Sequence, residues 1–287
     1  MDPRTSYDVK FYCLKFMSEP EKIVRGTENA SGGLKDDPLT LAAAGVLAYV
    51  TETIGHELVG HGGACLASGG HVTALAPLWM RCSVVTPSMV LGGPLFNFIV
   101  AAGAAALLMR RRQASAFSYL LWLAFIFNFL IACGYLVVGG ALRFGDWSVL
   151  FADISPSWIW RIGAVAVGIG GYVFGLHVAE GLYARISGPA KDYRQAFVRR
   201  TLIPAVAAAI VALAAELAGG RLAPLALALP LACTLIVGWS VSRTDPSHLP
   251  THEGSSFIVR INRRWQISAL VLALIFVWVI GPAPGSG

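Results

Sequence analysis

Charge is the scarcest ingredient of this 287-residue chain. Asp, Glu, Lys and Arg make up 13% of it, where a soluble domain carries about a quarter. With 56% hydrophobic residues and a mean hydropathy of +0.65, this shortage excludes an ordinary water-soluble globule and calls for a polytopic membrane protein. Cysteine is scarce as well. The five present (Cys13, Cys65, Cys82, Cys133 and Cys233) are odd in number and scattered, which does not read as a disulfide framework. No secretory signal is recognisable at the start, where acidic residues crowd in and no apolar core follows them. No convincing internal repeat is present. The net charge of +6 does not point to nucleic acid, because the basic residues are spread between apolar runs instead of gathered in a patch.

What is there is apolar sequence in long runs. After a mixed-charge tail over 1–38 come seven stretches, at about 39–66, 88–109, 115–142, 157–186, 201–219, 222–242 and 265–281. Most approach the ~20 residues that a helix needs to cross a bilayer. Only Gly219, Gly220 and Arg221 separate the fifth run from the sixth, so a re-entrant pair is an alternative to two spans. Alternating the runs across a membrane places 18 of the 22 Lys and Arg residues on the N-terminal side, and leaves Arg81, Arg143, Arg161 and Arg221 on the other. The positive-inside rule makes the first side cytoplasmic. Seven of the eight tryptophans fall in loops or near run ends, as an aromatic belt would. The expectation is an all-α polytopic membrane protein of about seven transmembrane helices with a short cytoplasmic N-terminal tail. Compact loops and the lack of a eukaryotic targeting signal suggest a bacterial inner membrane.

One run carries ionisable groups where hydrocarbon makes them costly. Residues 54–63 read IGHELVGHGG, with Glu52 just upstream and Cys65 just downstream. Zinc peptidases of the H-E-x-x-H type place two histidines four apart on one helix face, with the intervening glutamate as general base. Here His56 and His61 are five apart, which on a regular helix turns them about 140° away from each other. A π-bulge, bonding i to i+5, would bring both onto one face, and Gly55 and Gly60 make that deformation cheaper. A straight helix would instead group Glu57, His61 and Cys65, four apart. The bland alternative is polar side chains that join helices.

The histidines fall in the last quarter of the first run, near the exoplasmic side, so a third ligand must come from that side. Asp146, in RFGDWSVLF, follows the third run there; Glu216 and His71 are the other choices. Topology favours Asp146, whose plainer reading is a helix-capping aspartate. His177 and Glu180 resemble a metal pair but belong to the opposite side, roughly 25–30 Å away across the bilayer. Cys65 and Cys82 read as small buried apolar residues sooner than as metal ligands.

HELVGHGGACLASGG resembles the first motif of the site-2 protease family of intramembrane zinc peptidases, an H-E-x-x-H followed by small residues and a glycine pair. GGPLFNFIVA over 92–101 resembles that family's second motif, a Gly-Pro-x-x-Asn opening the next core helix, with Gly93, Pro94 and Asn97 in the motif positions. The intervening segment matches the place where the family carries a β-hairpin. The family's Asn…Leu-Asp-Gly motif is absent, although Gly145-Asp146-Trp147 comes at the corresponding place in the order. HELVGH also resembles the H-E-L-L-G-H of dipeptidyl peptidase III, a soluble zinc peptidase that binds metal with this longer spacing. The site-2 resemblance covers roughly residues 50–147. The family's active site often opens toward the cytoplasm, unlike the exoplasmic placement expected here.

The resemblance implies a tail over 1–38, a metalloprotease core over 39–147 with three transmembrane helices and a hairpin-like loop over 67–87, and additional transmembrane helices over 148–287. It implies Zn2+ on His56, His61 and Asp146, Glu57 as the base that takes a proton from water, and a membrane-protein or peptide substrate met in the lipid bilayer. Glu52 would orient His56. Asn97 would hydrogen-bond the substrate or its oxyanion, or, more plainly, bridge two helices. Two rival functions are an ion- or proton-coupled transporter relaying through Glu52, Glu57, Glu180 and Glu216, and a catalytically inactive scaffold.

Overall fold

Four helices in the computed structural model, which describes residues 36–77, 79–111, 115–187, 193–219 and 258–280, begin on a side chain that accepts a backbone N–H of the first turn. Asp37 caps Pro38–Ile54 (α1), which runs unbroken into a π-helical stretch, Gly55–Gly62, and a last α-helical turn, Gly63–Ala67 (α2). A short hairpin, Val72–Ala76 (β1) and Trp79–Cys82 (β2), leads to Thr86, the cap of Pro87–Arg110 (α3). Ser115 caps Ala116–Leu142 (α4), and the short Asp146–Leu150 (α5) follows. Then come Ser157–Ser187 (α6) and Tyr193–Ala218 (α7). Asn262 caps Arg263–Ile275 (α8), which ends in a π-turn, Phe276–Ile280. A capping oxygen satisfies an amide that has no partner inside its own helix, and Pro38 and Pro87 add the fixed φ suited to a first turn.

Among the described residues, five helices are long and apolar enough to cross a membrane: Pro38–Ala67, Pro87–Arg110, Ala116–Leu142, Ser157–Ser187 and Gln195–Ala218. The apolar run at 222–242 and the tail up to residue 35 lie outside the described residues, and the last run appears as α8 with its π-turn. Exposed apolar side chains cover the outer faces, among them Ile99 on α3, Val167 and Phe174 on α6, and Leu270 on α8. Such a surface suits hydrocarbon and is costly in water.

The core lies between α1, α4, α6 and α7. Trp122, Tyr119 and Tyr183 are fully enclosed, with the Trp122 and Tyr183 rings 5.0 Å apart. Their polar tips find carbonyls: Trp122 Nε1 donates to Ala179 O and Tyr119 OH to Arg200 O, each at 2.8 Å. At the start of α1, Arg200 donates through Nε and Nη2 to both Asp36 oxygens at 2.8 and 2.9 Å. Asp36 also accepts from Val259 N at 2.8 Å, and Gln266 of α8 donates to Asp37 at 3.0 Å. These bonds gather α1, α7 and α8 at one end. They also explain why α7 starts at Tyr193, well before the apolar run at 201: its charged first turns are part of the helix, with Arg200 buried on a partner.

At the other end the hairpin folds back over α2. β1 and β2 are antiparallel, with Ala76 opposite Trp79 and an irregular register between Val72 and Ala74. This brings Cys82 to Cys65, and the two form a disulfide. The expectation of no disulfide framework and of buried free thiols at these positions is therefore corrected. Only the hairpin's return brings together two cysteines 17 residues apart in sequence.

Candidate metal centre

The first helix resolves the awkward histidine spacing by widening. Gly55–Gly62 is π-helical, a geometry that places residues five apart on a common face. It extends over eight residues, more than the single bulge that the spacing called for. The His56 and His61 rings meet edge to face, with centroids 4.8 Å apart. The straight-helix grouping of Glu57, His61 and Cys65 does not form, since Cys65 is bonded to Cys82.

Two glycines let α3 approach this widened turn. A Cβ on Gly92 would lie 2.3 Å from Gly60 O, and one on Gly93 would lie 2.5 Å from Nε2 of both histidines. Gly92 and Gly93 thus serve inside the helix and do not open it. The Thr86–Pro87 start signal acts two turns earlier and leaves Pro94 in the helix interior. From α3 the Met89 carbonyl reaches His61 Nδ1 at 2.8 Å. A carbonyl only accepts, so Nδ1 carries the hydrogen and the Nε2 lone pair faces the centre.

Asp146 completes the group from α5. Gly145, just before it, has φ 79° and ψ −176°, a region open essentially to glycine alone, and this turn aims the carboxylate back at the helix. Asp146 Oδ2 lies 3.3 Å from His56 Nε2, and Oδ1 lies 3.3 Å from His61 Nε2. Burial acts to raise the Asp146 pKa, but the two imidazoles outweigh it and hold the carboxyl well below its usual range. The ligand atoms of the three residues all lie within 4.8 Å of one another. Among the described residues neither Glu216, buried on α7, nor the exposed His71 joins this group. His177 is exposed and bonds its own helix at Val173 O.

The two imidazole–carboxylate contacts, 3.3 Å each, lie within ion-pair distance. Ligands held about 2.0–2.1 Å from a tetrahedral zinc stand about 3.3 Å apart along the tetrahedron's edge. The donor set, two imidazoles and a carboxylate with ligand atoms within 4.8 Å of one another, is also one that could hold a metal ion.

The neighbouring groups depart from expectation. Glu52, expected to orient His56, instead accepts from Asn97 Nδ2 at 2.9 Å and from Thr53 Oγ1 at 3.1 Å, and His56 Nδ1 is buried without a hydrogen-bond partner. Asn97, expected at the substrate, is fully buried and joins α3 to α1 through that bond. Glu57 follows His56, is 5% exposed, and keeps Oε2 free of any hydrogen bond.

Sequence reading missed three contributors. Tyr135 of α4 packs its ring 5.7 Å from that of His56; nothing in FLIACGYL separates it from other span aromatics. Met89 acts through its backbone, which leaves no signal in residue type. Gly145 did leave one, as a glycine directly before an acid at the end of an apolar run. Comparison with protein-family models, with curated proteins and with solved structures finds no match to this chain.

Proposed function

We propose that the chain is a membrane-embedded zinc peptidase, akin to the site-2 proteases, that cleaves peptide bonds in or near the bilayer. His56, His61 and Asp146 hold the metal, and Glu57 is the general base. The observation that carries this reading is the π-helical turn that brings both Nε2 atoms to within 3.3 Å of one carboxylate. A bound zinc supplies a Lewis acid that draws the pKa of water toward neutrality.

The protein's own groups divide the remaining work. His61 is locked in the ligating tautomer by Met89, and Gly145 aims Asp146. Glu57 offers an unspent oxygen for a proton. The buried Asn97–Glu52 bond positions α3 against α1 at this level, and the outer edge of β1 suits an unwound substrate added as a strand.

The finer topology belongs to the same proposal: seven spans in a bacterial inner membrane, a cytoplasmic N-terminus, and the centre near the exoplasmic face. The basic-residue asymmetry supports it. So does the Cys65–Cys82 disulfide at the metal end, because disulfides persist in oxidising compartments. The partners are the lipid bilayer and a membrane-protein or peptide substrate.

Purified protein is expected to carry one zinc per chain and to cut a transmembrane reporter peptide. Glu57→Gln should keep the metal and stop cleavage. A Glu57→Gln enzyme that cleaves at the wild-type rate defeats the assignment. One feature favours a second reading, a proton-coupled transporter: the carboxylates of Glu52 and Glu216 are buried, and both lie within electrostatic reach of Tyr49. That reading requires chelator-insensitive flux in vesicles that Glu216→Gln abolishes.

A further inference from the structure

α8 and its π-turn meet the rest of the protein along one side. Ala269 and Phe276 are buried there, and Trp265, Leu272 and Val277 pack against the same core. The opposite side is open. Arg263 and Arg264 are exposed in the first turn of α8, and Arg260 is exposed just ahead of it. Ile267, Leu270 and Leu274 follow, 63%, 61% and 49% exposed. Arg263, Ile267, Leu270 and Leu274 recur at steps of four, three and four, which sets them in one stripe along the helix.

The three arginines lack a counter-charge. Among the described residues none of them makes an ion pair or a ring contact. The acids at this end are engaged elsewhere, Asp36 with Arg200 and Val259 N, and Asp37 with Thr40 and Gln266. Helix stability does not account for Arg263 and Arg264, because the macrodipole disfavours cations in a first turn. Sidedness in a membrane calls for basic residues between spans, but not for a cluster continuous with an apolar stripe.

We propose that this face of α8 binds an anionic phospholipid, with the phosphate among Arg260, Arg263 and Arg264 and an acyl chain along Ile267, Leu270 and Leu274. Cations come first and hydrocarbon after, over about 16 Å from Arg263 to Leu274. That length matches one leaflet, about half of the ~30 Å apolar core. Guanidinium groups donate to phosphate oxygens in pairs. A zwitterionic headgroup is the poorer partner, since its ammonium would meet the same three cations. Asn262 N bonds Thr40 Oγ1 at 3.0 Å, so the bound lipid braces α8 where it joins the start of α1. None of this depends on the metal centre.

The test mixes full-length protein, in an uncharged detergent, with equal amounts of dioleoyl phosphatidylglycerol and dioleoyl phosphatidylcholine, and reads the retained lipid by native mass spectrometry. One arginine beside anionic lipid is worth about fivefold in affinity, so wild type should favour phosphatidylglycerol roughly 100-fold. Arg263→Gln with Arg264→Gln should cut that preference about 25-fold. Arg263→Lys with Arg264→Lys keeps the charge and should keep most of it. Arg110→Gln with Arg185→Gln removes equal charge from exposed positions on α3 and α6 and should change nothing. No preference in wild type, or equal losses in the two glutamine pairs, would overturn the site, the latter by showing an effect of net charge alone. Displacement of the lipid by millimolar glycerol phosphate, which has the phosphate and no acyl chain, would overturn it in favour of a free phosphate.

Discussion

Gly93→Ala adds a single carbon, and its consequence can be worked out from distances. The new Cβ would lie 2.5 Å from Nε2 of both His56 and His61 and 2.7 Å from His56 Cε1, all below van der Waals contact. Neither ring can yield cheaply. His61 is held by Met89 O at 2.8 Å, and His56 is 4% exposed and packed against His61 and Tyr135. Overpacking of this kind costs about 1–3 kcal/mol. Because the strained atoms are the ligating ones, the cost falls on metal binding, and zinc affinity should drop about 5- to 150-fold. Competition with a chelator at fixed free zinc reads this directly, and a thermal midpoint checks that the variant folds. Gly103→Ala is the control: it lies on the same helix with nothing within 4 Å of its added carbon, and it should hold zinc like wild type. Wild-type affinity in Gly93→Ala would refute the described packing of α3 on the histidine pair.

Further expectations follow from other parts of the fold. Gly145→Ala forces a residue with a Cβ into φ 79° at a cost of about 1–3 kcal/mol, so both the thermal midpoint and zinc retention should fall; an unchanged variant contradicts the proposed aiming of Asp146. Peptide mapping without reductant should recover Cys65 linked to Cys82. Replacing either by Ser should cost roughly 3 kcal/mol from the loss of loop closure, whereas free alkylation of both thiols in native protein would contradict the pairing. Asp36→Ala leaves the buried Arg200 guanidinium without its carboxylate and should destabilise by about 3–5 kcal/mol in micelle unfolding. Arg200→Lys keeps the charge but not the two-pronged geometry and should fall between it and wild type; a null effect of Asp36→Ala would show the contact to be dispensable.

Legibility in the sequence tracked how local each cause is. Hydropathy placed the first two runs at about 39 and 88, one residue inside the helix starts at Pro38 and Pro87, although the caps Asp37 and Thr86 were not read. The π-turn was readable from a five-residue histidine spacing flanked by glycines, although its eight-residue extent was not. Asp146 was reachable only through topology, by asking which acid emerges on the same side as the histidines. Partnerships that close over distance left no trace. Cys82 meets Cys65 only after the hairpin returns, and Glu52 finds Asn97 across two helices. Arg200 is tolerated in a buried helical turn because Asp36, 164 residues away, receives it.

The most direct test of the account is zinc-edge X-ray absorption on the full-length protein, repeated on His56→Ala and His61→Ala. The account predicts one zinc per wild-type chain, with two imidazole nitrogens and a carboxylate oxygen at about 2.0–2.2 Å, and loss of that signal in each variant. Wild-type protein that takes up no zinc, or a spectrum unchanged in both variants, would contradict it.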